Sequence, residues 1–338
     1  MDQQYQEKFQ SALNQHRDKL LEWLNNDGND KEFHLGGDSA QEVLKVVSEL
    51  KEALENIEKG NFGECKVCHE TVDPELLELD YTHSICLSHY PEEKLRALEN
   101  DLELASKVQR ELLPCCVPVL QDVQIAFHAE PARIVGGDYY DFFGYKNGHQ
   151  GVAIADVMGK GLPASMLMSN LQASLRILGP QYTELDSLMV KLNELFQRNL
   201  KLIRFITIFL AAIDTKTGTV EYCNAGHHPP VLWEASTKKI HWLQPTGPAI
   251  GLTRDAQFKS DIIKIKPGDL LLLYTDGLVE SRNGSGEEFG DDRLTSFVQV
   301  NHHKSADDFV KNLRDEAAGF AERFQDDLSL IAIKFQPE

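Results

Sequence analysis

The chain has 338 residues, which is enough for about two domains, and a hydrophobic content of 42% excludes global disorder. Its 53 acidic and 34 basic residues give a formal charge of −19, which argues against nucleic acid and anionic membranes as partners. The longest strongly apolar run, Leu270–Tyr274, is too short to cross a bilayer, the N-terminus has no secretory signal pattern, and the paired cysteine spacings suit a reducing cytoplasm.

The N-terminal segment predicts two amphipathic helices, over residues 2–26 and 39–59, because apolar residues recur there at helical spacing. The residues of these stripes are Leu13, Leu20, Leu21 and Leu24 in the first helix, and Val43, Val46, Val47, Leu50, Leu54 and Ile57 in the second. The intervening residues 25–38 are rich in Asn, Asp and Gly, which favours a turn. An antiparallel helical hairpin is therefore expected.

Two ligand pairs typical of a zinc knuckle follow the hairpin. They are Cys65 with Cys68, and Cys86 with His89. Thiolate and imidazole groups in two local pairs, separated by residues 69–85, suit tetrahedral Zn²⁺. His69 and His83 lie close enough in the sequence to serve in place of His89, and a knuckle with buried cysteines and no metal is the alternative.

The run Gly60-Asn61-Phe62-Gly63-Glu64-Cys65, with Cys68 after it and a helical hairpin before it, resembles the DksA/TraR zinc-finger family over about residues 1–90. That family has a cysteine where His89 stands. Its members insert the hairpin into RNA polymerase through acidic residues at the tip. The acidic residues of the corresponding turn in this chain are Asp27, Asp30 and Asp38.

Residues 91–113 predict a single helix with a heptad-like seam, which Pro114 and Pro118 terminate. The seam consists of Leu95, Leu98, Leu102, Ala105, Gln109 and Leu112. Charged residues flank it on both sides, which favours a homodimer formed through this helix, and packing on the C-terminal domain of the same chain is the alternative. The expected domains are residues 1–90, 91–114 and 115–338.

Beyond residue 119, short apolar runs separated by Gly, Pro and Asp predict strands. The predicted strands are 123–129, 140–145, 152–157, 205–213, 220–223, 230–233, 262–265, 270–274 and 328–335. Helices are predicted at 163–178, 185–200 and 306–322. Because strands and helices do not alternate strictly, an α+β layered domain is expected rather than a doubly wound parallel sheet.

Four aspartates stand at the ends of apolar runs or beside glycines: Asp138, Asp156, Asp276 and Asp326. Carboxylates are ligands that Mg²⁺ and Mn²⁺ prefer, and no histidine or cysteine is paired with these four. If they converge, they would hold two divalent cations that activate water for attack on a phosphoryl group. Taken singly, each has a plainer interpretation, since Asp276-Gly277 could be a turn and Asp326-Asp327 a solvated strand start.

Three other features carry weaker signals. Gly159-Lys160-Gly161 lacks the Walker spacing, so a nucleotide loop is disfavoured. His227, in the run Asn224-Ala225-Gly226-His227, could protonate a leaving oxygen or could hold a tight turn, and the structural interpretation is favoured. Cys115 and Cys116 are candidates for redox sensitivity, although the sequence indicates no base and no resolving partner for them.

Six ordered motifs resemble those of the RsbU/SpoIIE-type PPM (PP2C-like) serine/threonine phosphatases over about residues 100–335. They are the stretch 105–114 that ends in Leu112-Leu113-Pro114, Gly136-Gly137-Asp138, Asp156-Val157-Met158-Gly159-Lys160-Gly161, Asn224-Ala225-Gly226-His227, Thr275-Asp276-Gly277 and Asp326-Asp327-Leu328-Ser329. The resemblance implies a PP2C-like αββα sandwich, in which two packed antiparallel sheets are flanked by helices. It also implies a Mn²⁺ or Mg²⁺ pair at one edge.

The same resemblance assigns the individual ligands. Asp138 and Asp156 would be bridging or first-site ligands with the Val157 carbonyl, and Asp276 and Asp326 would hold the second metal. Asp327 stands where related phosphatases often have asparagine, so it would tune the site or bind a third ion.

The expected function is metal-dependent hydrolysis of phosphoserine or phosphothreonine on a protein. The resemblance implies a phosphorylated anti-sigma-factor antagonist as the substrate, in a partner-switching pathway that alters sigma-factor availability. The alternative, from a different class, is a catalytically idle protein that binds the transcription machinery through its N-terminal module. The presence of all four aspartates argues for the enzyme.

Overall fold

The computed structural model describes residues 9–10, 13–14, 17–18, 20–21, 39–72, 77, 85–199 and 205–336. The chain divides into two compact units, Met1–Asn100 and Asp101–Glu338. None of the described helices combines the length and the apolar character needed to cross a bilayer.

The first unit contains helix α1, Ser39–Glu58, and the described residues between 9 and 21 are also helical. The buried side chains of both segments form one core with the knuckle that follows. This core contains Phe9, Leu13, Leu20, Val47, Leu50, Ala53, Leu54, Phe62, Cys65, Val72 and Leu77. Most described residues of the predicted stripes contribute to this core, but Val46 is 37% exposed. The side chain of Val43, Leu24 and residues 25–38, with Asp27, Asp30 and Asp38, lie outside what the structure describes.

Helix α2, Glu92–Leu112, leads into the second unit, where β-strands form most of the interior. The strands are β1 Val123–Glu130, β2 Tyr139–Gly144, β3 Gln150–Val157, β4 Ile206–Asp214, β5 Thr219–Ala225, β6 Val231–Glu234, β7 Lys239–Trp242, β8 Asp261–Lys264, β9 Leu270–Tyr274 and β10 Leu328–Phe335. The helices are α3 Leu162–Leu178, α4 Leu185–Asn199, α5 Gly290–Asn301 and α6 Ala306–Phe320. Short 3₁₀ turns lie at Leu87–His89 and Gly179–Gln181.

The strands form two five-stranded sheets in which every pairing is antiparallel. The strand order is β1-β10-β9-β6-β7 in one sheet and β2-β3-β4-β5-β8 in the other. Sequence neighbours β2 to β5 pair in order, whereas β1 and β10 come from opposite ends of the unit and run side by side. The first sheet is therefore complete only when distant parts of the chain have met.

Alternating side chains of these strands build three cores. Ile154, Phe209, Leu271 and Ile331 are fully buried in the core between the two sheets. Helices α3 and α4 cover the outer face of the β2–β8 sheet, and α5 and α6 cover the outer face of the β1–β7 sheet. Since each buried large aliphatic side chain stabilises the fold by about 1.5–3 kcal/mol, these layers fix both sheets firmly. The predicted α+β sandwich is confirmed.

Two elements were not predicted from the sequence. Strand β7 is a short edge strand whose residues alternate between exposed and partly buried, so it lacks the apolar run of an inner strand. Helix α5 begins at a glycine with φ 73°, and its buried residues Leu294, Phe297 and Val298 occupy a narrow stripe. The other strands and helices predicted beyond residue 38 are present, with ends that coincide with the prediction or differ from it by one or two residues.

The C-terminal part of the predicted seam on α2 faces the chain's own second unit. Gln109 is 9% exposed, and Leu113, just after the helix, packs against buried residues of two cores. Leu98, nearer the start of the helix, is 49% exposed. At this end of the helix the structure therefore matches the alternative of packing on the same chain.

Candidate active site

Two of the predicted aspartates lie side by side in the β2–β8 sheet. Asp138 immediately precedes β2, and Asp156 is the penultimate residue of β3. Tyr139 pairs with Ala155 across these antiparallel strands, so the next position along each strand brings Asp138 beside Asp156.

The other two aspartates lie at the matching edge of the second sheet. Asp276 follows the end of β9, and Asp326 stands just before β10. The Thr275 N–H donates to the Ser329 carbonyl oxygen at 3.1 Å, which extends the pairing of these strands to the acidic end. Each sheet thus contributes one pair of carboxylates.

The side chain of Thr275 reaches from the sheet of Asp276 and Asp326 to Asp138. Its Oγ1 donates to Asp138 Oδ2 at 2.7 Å, and the Ser329 N–H donates to the same Oγ1 at 3.0 Å. Thr275 is fully buried, so its hydroxyl has no solvent to compete with these bonds. This hydroxyl orients the Asp138 carboxylate from the opposite sheet.

Asp327 holds the backbone around Asp138. Its Oδ2 accepts a 2.6 Å hydrogen bond from the Gly137 N–H, and its Oδ1 accepts a 2.8 Å bond from the Ala132 N–H. A Cβ at Gly136 would lie 2.5 Å from Asp327 Oδ2, and a Cβ at Gly137 would lie 2.9 Å from the Val157 carbonyl oxygen. Both glycines are needed because any side chain would displace this close approach.

The carboxylates affect one another's ionisation. Burial, followed by the charges of Asp156 and Asp327, raises the pKa of Asp138 well above its usual range. Burial and the charges of Asp276, Asp326 and Asp327 raise the pKa of Asp156 to about 8. Burial and the charge of Asp326 raise the pKa of Asp276 to about 6. The aspartates of both sheets therefore form one electrostatically coupled cluster.

This cluster suits hard divalent cations. Every side-chain donor in it is a carboxylate oxygen, and like charges brought together in a partly buried site need positive charge to remain ionised. The Val157 carbonyl oxygen lies against Gly137, next to Asp138, and is a neutral oxygen donor beside the charged ones. The residues present thus fit a Mg²⁺ or Mn²⁺ site better than a zinc or copper site.

Lys160 places one positive charge at the edge of the cluster. Its Nζ lies 2.8 Å from Asp326 Oδ2 and donates to the Gln325 carbonyl oxygen at 2.8 Å. Gly159 and Gly161 on either side have φ values of 107° and 68°, which residues other than glycine rarely adopt. The motif therefore shapes a tight turn that directs Lys160 toward the β10 end, rather than a nucleotide loop.

Helix α2 reaches the Asp138 loop through one side chain. The Gln109 amide donates from Nε2 to the Gly136 carbonyl oxygen at 2.7 Å, and Gln109 Oε1 accepts from the Gly136 N–H at 3.1 Å. The backbone N–H and C=O of one residue are thereby both satisfied by a single buried side chain. The linker helix and the loop that carries Asp138 are thus directly connected.

His227 supports the cluster from the β5–β6 turn. It is 2% exposed, its backbone N–H donates to Asn224 Oδ1 at 2.8 Å, and its Nδ1 lies 3.0 Å from Thr207 Oγ1. Thr207 pairs with Asp156 across β3 and β4. Burial and the neighbouring His228 lower the pKa of His227 to about 3, so the imidazole is neutral at pH 7. These contacts favour the structural interpretation of His227.

The first unit contains a separate candidate metal centre. The ligand atoms of Cys65, Cys68, Cys86 and His89 all lie within 4.8 Å of one another. The N–H groups of Val67 and Cys86 donate to the Cys65 sulfur at 3.4 and 3.3 Å. The predicted ligand pairs thus meet in one cluster.

The ionisation of these thiols also fits a bound cation. Burial raises the pKa of Cys65, but hydrogen bonds from backbone groups of Cys68, Cys86 and Val67 outweigh it and lower the pKa to about 6. Burial and the adjacent thiols raise the pKa of Cys86 to about 12. Three sulfurs so close together cannot all be thiolates without a cation, and Zn²⁺ prefers this set of ligands.

Sequence reasoning missed Thr275 and Gln109 as parts of the site. Thr275 lies inside a recognised motif, but the sequence does not indicate which group its hydroxyl binds. Gln109 stood out only as the one polar residue of an apolar seam, a pattern that in hindsight indicates a specific buried hydrogen bond.

Comparison with known proteins places this geometry in a family. The family model described as Stage II sporulation protein E (SpoIIE) matches residues 146–336. Protein IcfG of Synechocystis is 30% identical over 263 residues, which cover 69% of this chain and 41% of that protein. Phosphoserine phosphatase RsbU of Bacillus subtilis is 29% identical over 238 residues, which cover 70% of each. The chain therefore spans less than half the length of IcfG.

Solved structures agree on the fold. The SiaA-PP2C domain of Pseudomonas aeruginosa superposes with a TM-score of 0.63 at 18% identity, covering 72% of this chain and 99% of that one. The PP2C phosphatase domain of SpoIIE from Bacillus subtilis, with a fragment of its regulatory domain, gives a TM-score of 0.56 at 18% identity, covering 63% of each. The resemblance to RsbU/SpoIIE-type proteins is confirmed, and the chain belongs to the SpoIIE family, with a PP2C-like phosphatase domain.

Proposed function

We propose that this chain is a Mn²⁺- or Mg²⁺-dependent protein phosphatase that hydrolyses phosphoserine or phosphothreonine on a protein. The observation that supports this best is the coupled carboxylate cluster formed where the two sheets meet. A cluster whose members raise one another's pKa is costly to the fold unless it serves a bound cation. The kinship with a phosphoserine phosphatase, RsbU, agrees with that chemistry.

In this proposal Asp138, Asp156, Asp276 and Asp326, with the Val157 carbonyl, hold two cations. The cations supply charge neutralisation at the phosphoryl group and activation of water. Asp327 has a different part, because both of its oxygens accept backbone hydrogen bonds. It positions the Gly136-Gly137-Asp138 loop, and Thr275 orients the Asp138 carboxylate.

The substrate we propose is a phosphorylated anti-sigma-factor antagonist in a partner-switching pathway. RsbU and RsbP of Bacillus subtilis, which are both phosphoserine phosphatases, support this choice. The net charge of −19 disfavours the binding of other polyanions. Contacts with parts of the substrate protein outside its phosphate group must therefore provide much of the binding affinity. We place the protein in the cytoplasm, where such substrates occur.

The remaining parts of the chain would regulate the phosphatase domain. We propose that residues 1–90 form a zinc-stabilised module, that 91–114 form a linker and that 115–338 form the catalytic domain. Residues of the first half of α2, such as Leu98, remain exposed and would provide the homodimer contact. The Gln109 contact to Gly136 would transmit a change in the linker to the Asp138 loop.

The test is hydrolysis of p-nitrophenyl phosphate and of a phosphoserine protein by the wild type, Asp276→Asn and Asp255→Asn. Asp276→Asn removes a proposed ligand and should lower kcat/KM by at least about a hundredfold, because even residues that only orient metal ligands cost 10–100-fold. Asp255 is exposed in a loop, so its variant should match the wild type. Activity should require Mn²⁺ or Mg²⁺ and disappear with a chelator.

If the wild type hydrolysed neither substrate at any metal concentration but bound RNA polymerase, the idle binding protein would be the better interpretation. If the wild type is active, the Asp276→Asn protein also serves to capture the phosphorylated client from extracts, since it should bind the substrate without turning it over.

A further inference from the structure

Two adjacent thiols lie where the linker helix enters the second unit. Cys115 and Cys116 are both exposed, whereas the other cysteines are buried or partly buried. They belong to a short irregular segment between α2 and β1, flanked by Pro114 and Pro118. Because proline cannot extend a helix or donate a backbone hydrogen bond, this segment has no regular ladder to stabilise it.

Contacts on both sides nevertheless fix the segment in place. The Tyr140 hydroxyl donates to the Pro114 carbonyl oxygen at 3.2 Å, and Gln172 Nε2 donates to the Leu112 carbonyl oxygen at 3.3 Å. Leu113 and Val117 pack against the core between the sheets. The thiols are thus presented at a defined position beside β2.

The thiols also interact with each other and with β2. Side-chain hydrogen bonding and charge from Cys115 raise the pKa of Cys116. Burial, then Asp141, then Cys115 raise the pKa of Tyr140 to about 12. Cys115 directly follows Pro114, whose carbonyl oxygen accepts the hydrogen bond from the Tyr140 hydroxyl.

We propose that Cys115 and Cys116 form a dithiol site that low-molecular-weight disulfides oxidise to an intramolecular disulfide, and that closing this ring lowers the activity of the phosphatase domain. The part about activity depends on the proposed function. Each thiol acts as the resolving partner of the other, so no third cysteine is needed.

The chemistry is thiol–disulfide exchange. One thiolate attacks a sulfur of the small disulfide, forms a mixed disulfide and releases one small thiolate. The second protein thiolate then attacks the protein sulfur of the mixed disulfide and releases the second small thiolate. Two protein thiols are oxidised, the small disulfide is reduced to two thiols, and the two thiol protons pass to them.

The ring is expected to be labile and to move the backbone. Consecutive Cα atoms are about 3.8 Å apart, below the 4.4–6.8 Å range usual for disulfides, so the bond is strained and readily reduced. Relief of that strain must come from the peptide units at 114–116. The Pro114 carbonyl belongs to one of these peptide units, and it accepts the hydrogen bond from Tyr140, which lies two residues beyond Asp138. This hydrogen bond is therefore expected to be the first contact that is lost.

The experiment treats the full chain, purified without chelator, with oxidised glutathione and follows it by peptide mass spectrometry. Trypsin releases residues 111–133, which contain Cys115 and Cys116 as their only cysteines. The peptide should lose the mass of two hydrogens, and dithiothreitol should restore it. The kcat/KM for p-nitrophenyl phosphate should fall roughly five-fold with oxidation, as expected for the loss of one hydrogen bond near the site, and recover on reduction.

Cys115→Ser and Cys116→Ser provide the controls. Each should retain the activity of the reduced wild type, gain at most one glutathione on this peptide, and lose the reversible response. Separate glutathione adducts on both wild-type cysteines, or no change in peptide mass, would overturn the proposed site. Ring closure without a change in activity would overturn the link to the phosphatase. If the reduced protein had no activity, the proposed function would be refuted. The peptide mass would still show whether Cys115 and Cys116 form the proposed disulfide.

Discussion

At the scale of single residues, the Thr275 hydroxyl links the sheet that carries Asp276 and Asp326 to the Asp138 carboxylate. Replacing Thr275 with valine keeps its shape but removes the bond to Asp138 and leaves the buried Ser329 N–H without a partner. We expect Thr275→Val to lower the free energy of unfolding by about 1–3 kcal/mol, the cost of an unsatisfied buried group. We also expect weaker Mn²⁺ binding in calorimetric titration.

Thr275→Ser is the matched control, because it keeps the hydroxyl and removes only a methyl group. It should bind Mn²⁺ nearly as well as the wild type. Equal Mn²⁺ affinity in the valine and serine variants would show that the hydroxyl does not orient Asp138.

His227 gives a prediction for pH. Its pKa is about 3 in the folded protein and near 6.5 when unfolded, so between these values the unfolded chain binds a proton that the folded chain does not. This contribution to stability is therefore complete above pH 6.5 and declines as the pH falls, by up to ~1.4 kcal/mol per unit. Urea unfolding at pH 6.5 and 5 should show a decline about 1.6 kcal/mol larger in the wild type than in His227→Gln.

The comparison of the two declines removes the effect of carboxylates that both proteins share. Parallel declines would mean that His227 is protonated in the folded state, which would reopen its interpretation as a proton donor.

The aspartates could be predicted from the sequence because each lies in a short motif with its own signal of glycine and a strand end. Their partners could not. Thr275 and Asp138 are 137 positions apart, and Gly137 and Asp327 are 190 apart, so nothing local indicates that they bond. Such pairings depend on how two sheets pack, which one sequence does not specify at the level of single hydrogen bonds.

At the scale of elements, α2 is connected to the site by the amide of Gln109. Gln109→Ala removes both hydrogen bonds to Gly136 while keeping a strong helix former at that position. We expect Mn²⁺ affinity to fall about tenfold, equivalent to one net hydrogen bond of about 1.4 kcal/mol, with little change in helix content by circular dichroism.

Arg110→Ala is the neighbouring control, since Arg110 is exposed on the same helix. Its Mn²⁺ affinity should equal that of the wild type. A Gln109→Ala protein with wild-type affinity would separate the linker from the cation site and remove the proposed route of regulation.

Helices and strands could be predicted where the spacing of apolar residues in the sequence matches the side chains that are buried in the structure. Inner strands such as β9 and β10 are predominantly apolar, and their predicted bounds coincide with the structure. The seam on α2 was predicted as a stripe, but the same stripe suits a partner helix or the chain's own domain. The packing of Gln109 and Leu113 distinguishes the two at this end of the helix.

At the scale of the whole molecule, the two units have separate cores and should unfold separately. The Cys65–Cys68–Cys86–His89 cluster lies against the core of the first unit, in which Cys65 is fully buried. Cys68→Ser should therefore release zinc and lower the first transition in scanning calorimetry by on the order of 10 °C or more. The second transition, that of the sandwich, should stay in place.

The zinc content of the wild type and of Cys68→Ser, measured with a chromogenic chelator, tests the same prediction directly. A wild-type protein that contains no zinc after purification without chelator, and whose first transition does not respond to added zinc, would show that the cluster is a knuckle without metal.

The arrangement of the cluster has a further consequence for synthesis in the cell. Its carboxylates enter the chain between positions 138 and 326, and the sheet that carries Asp276 and Asp326 is complete only when β1 meets β10. A ribosome-bound chain consequently has no competent centre until the residues around Asp326 have emerged from the exit tunnel. Dephosphorylation of clients by unfinished nascent polypeptides is thereby prevented by topology alone, without any inhibitor.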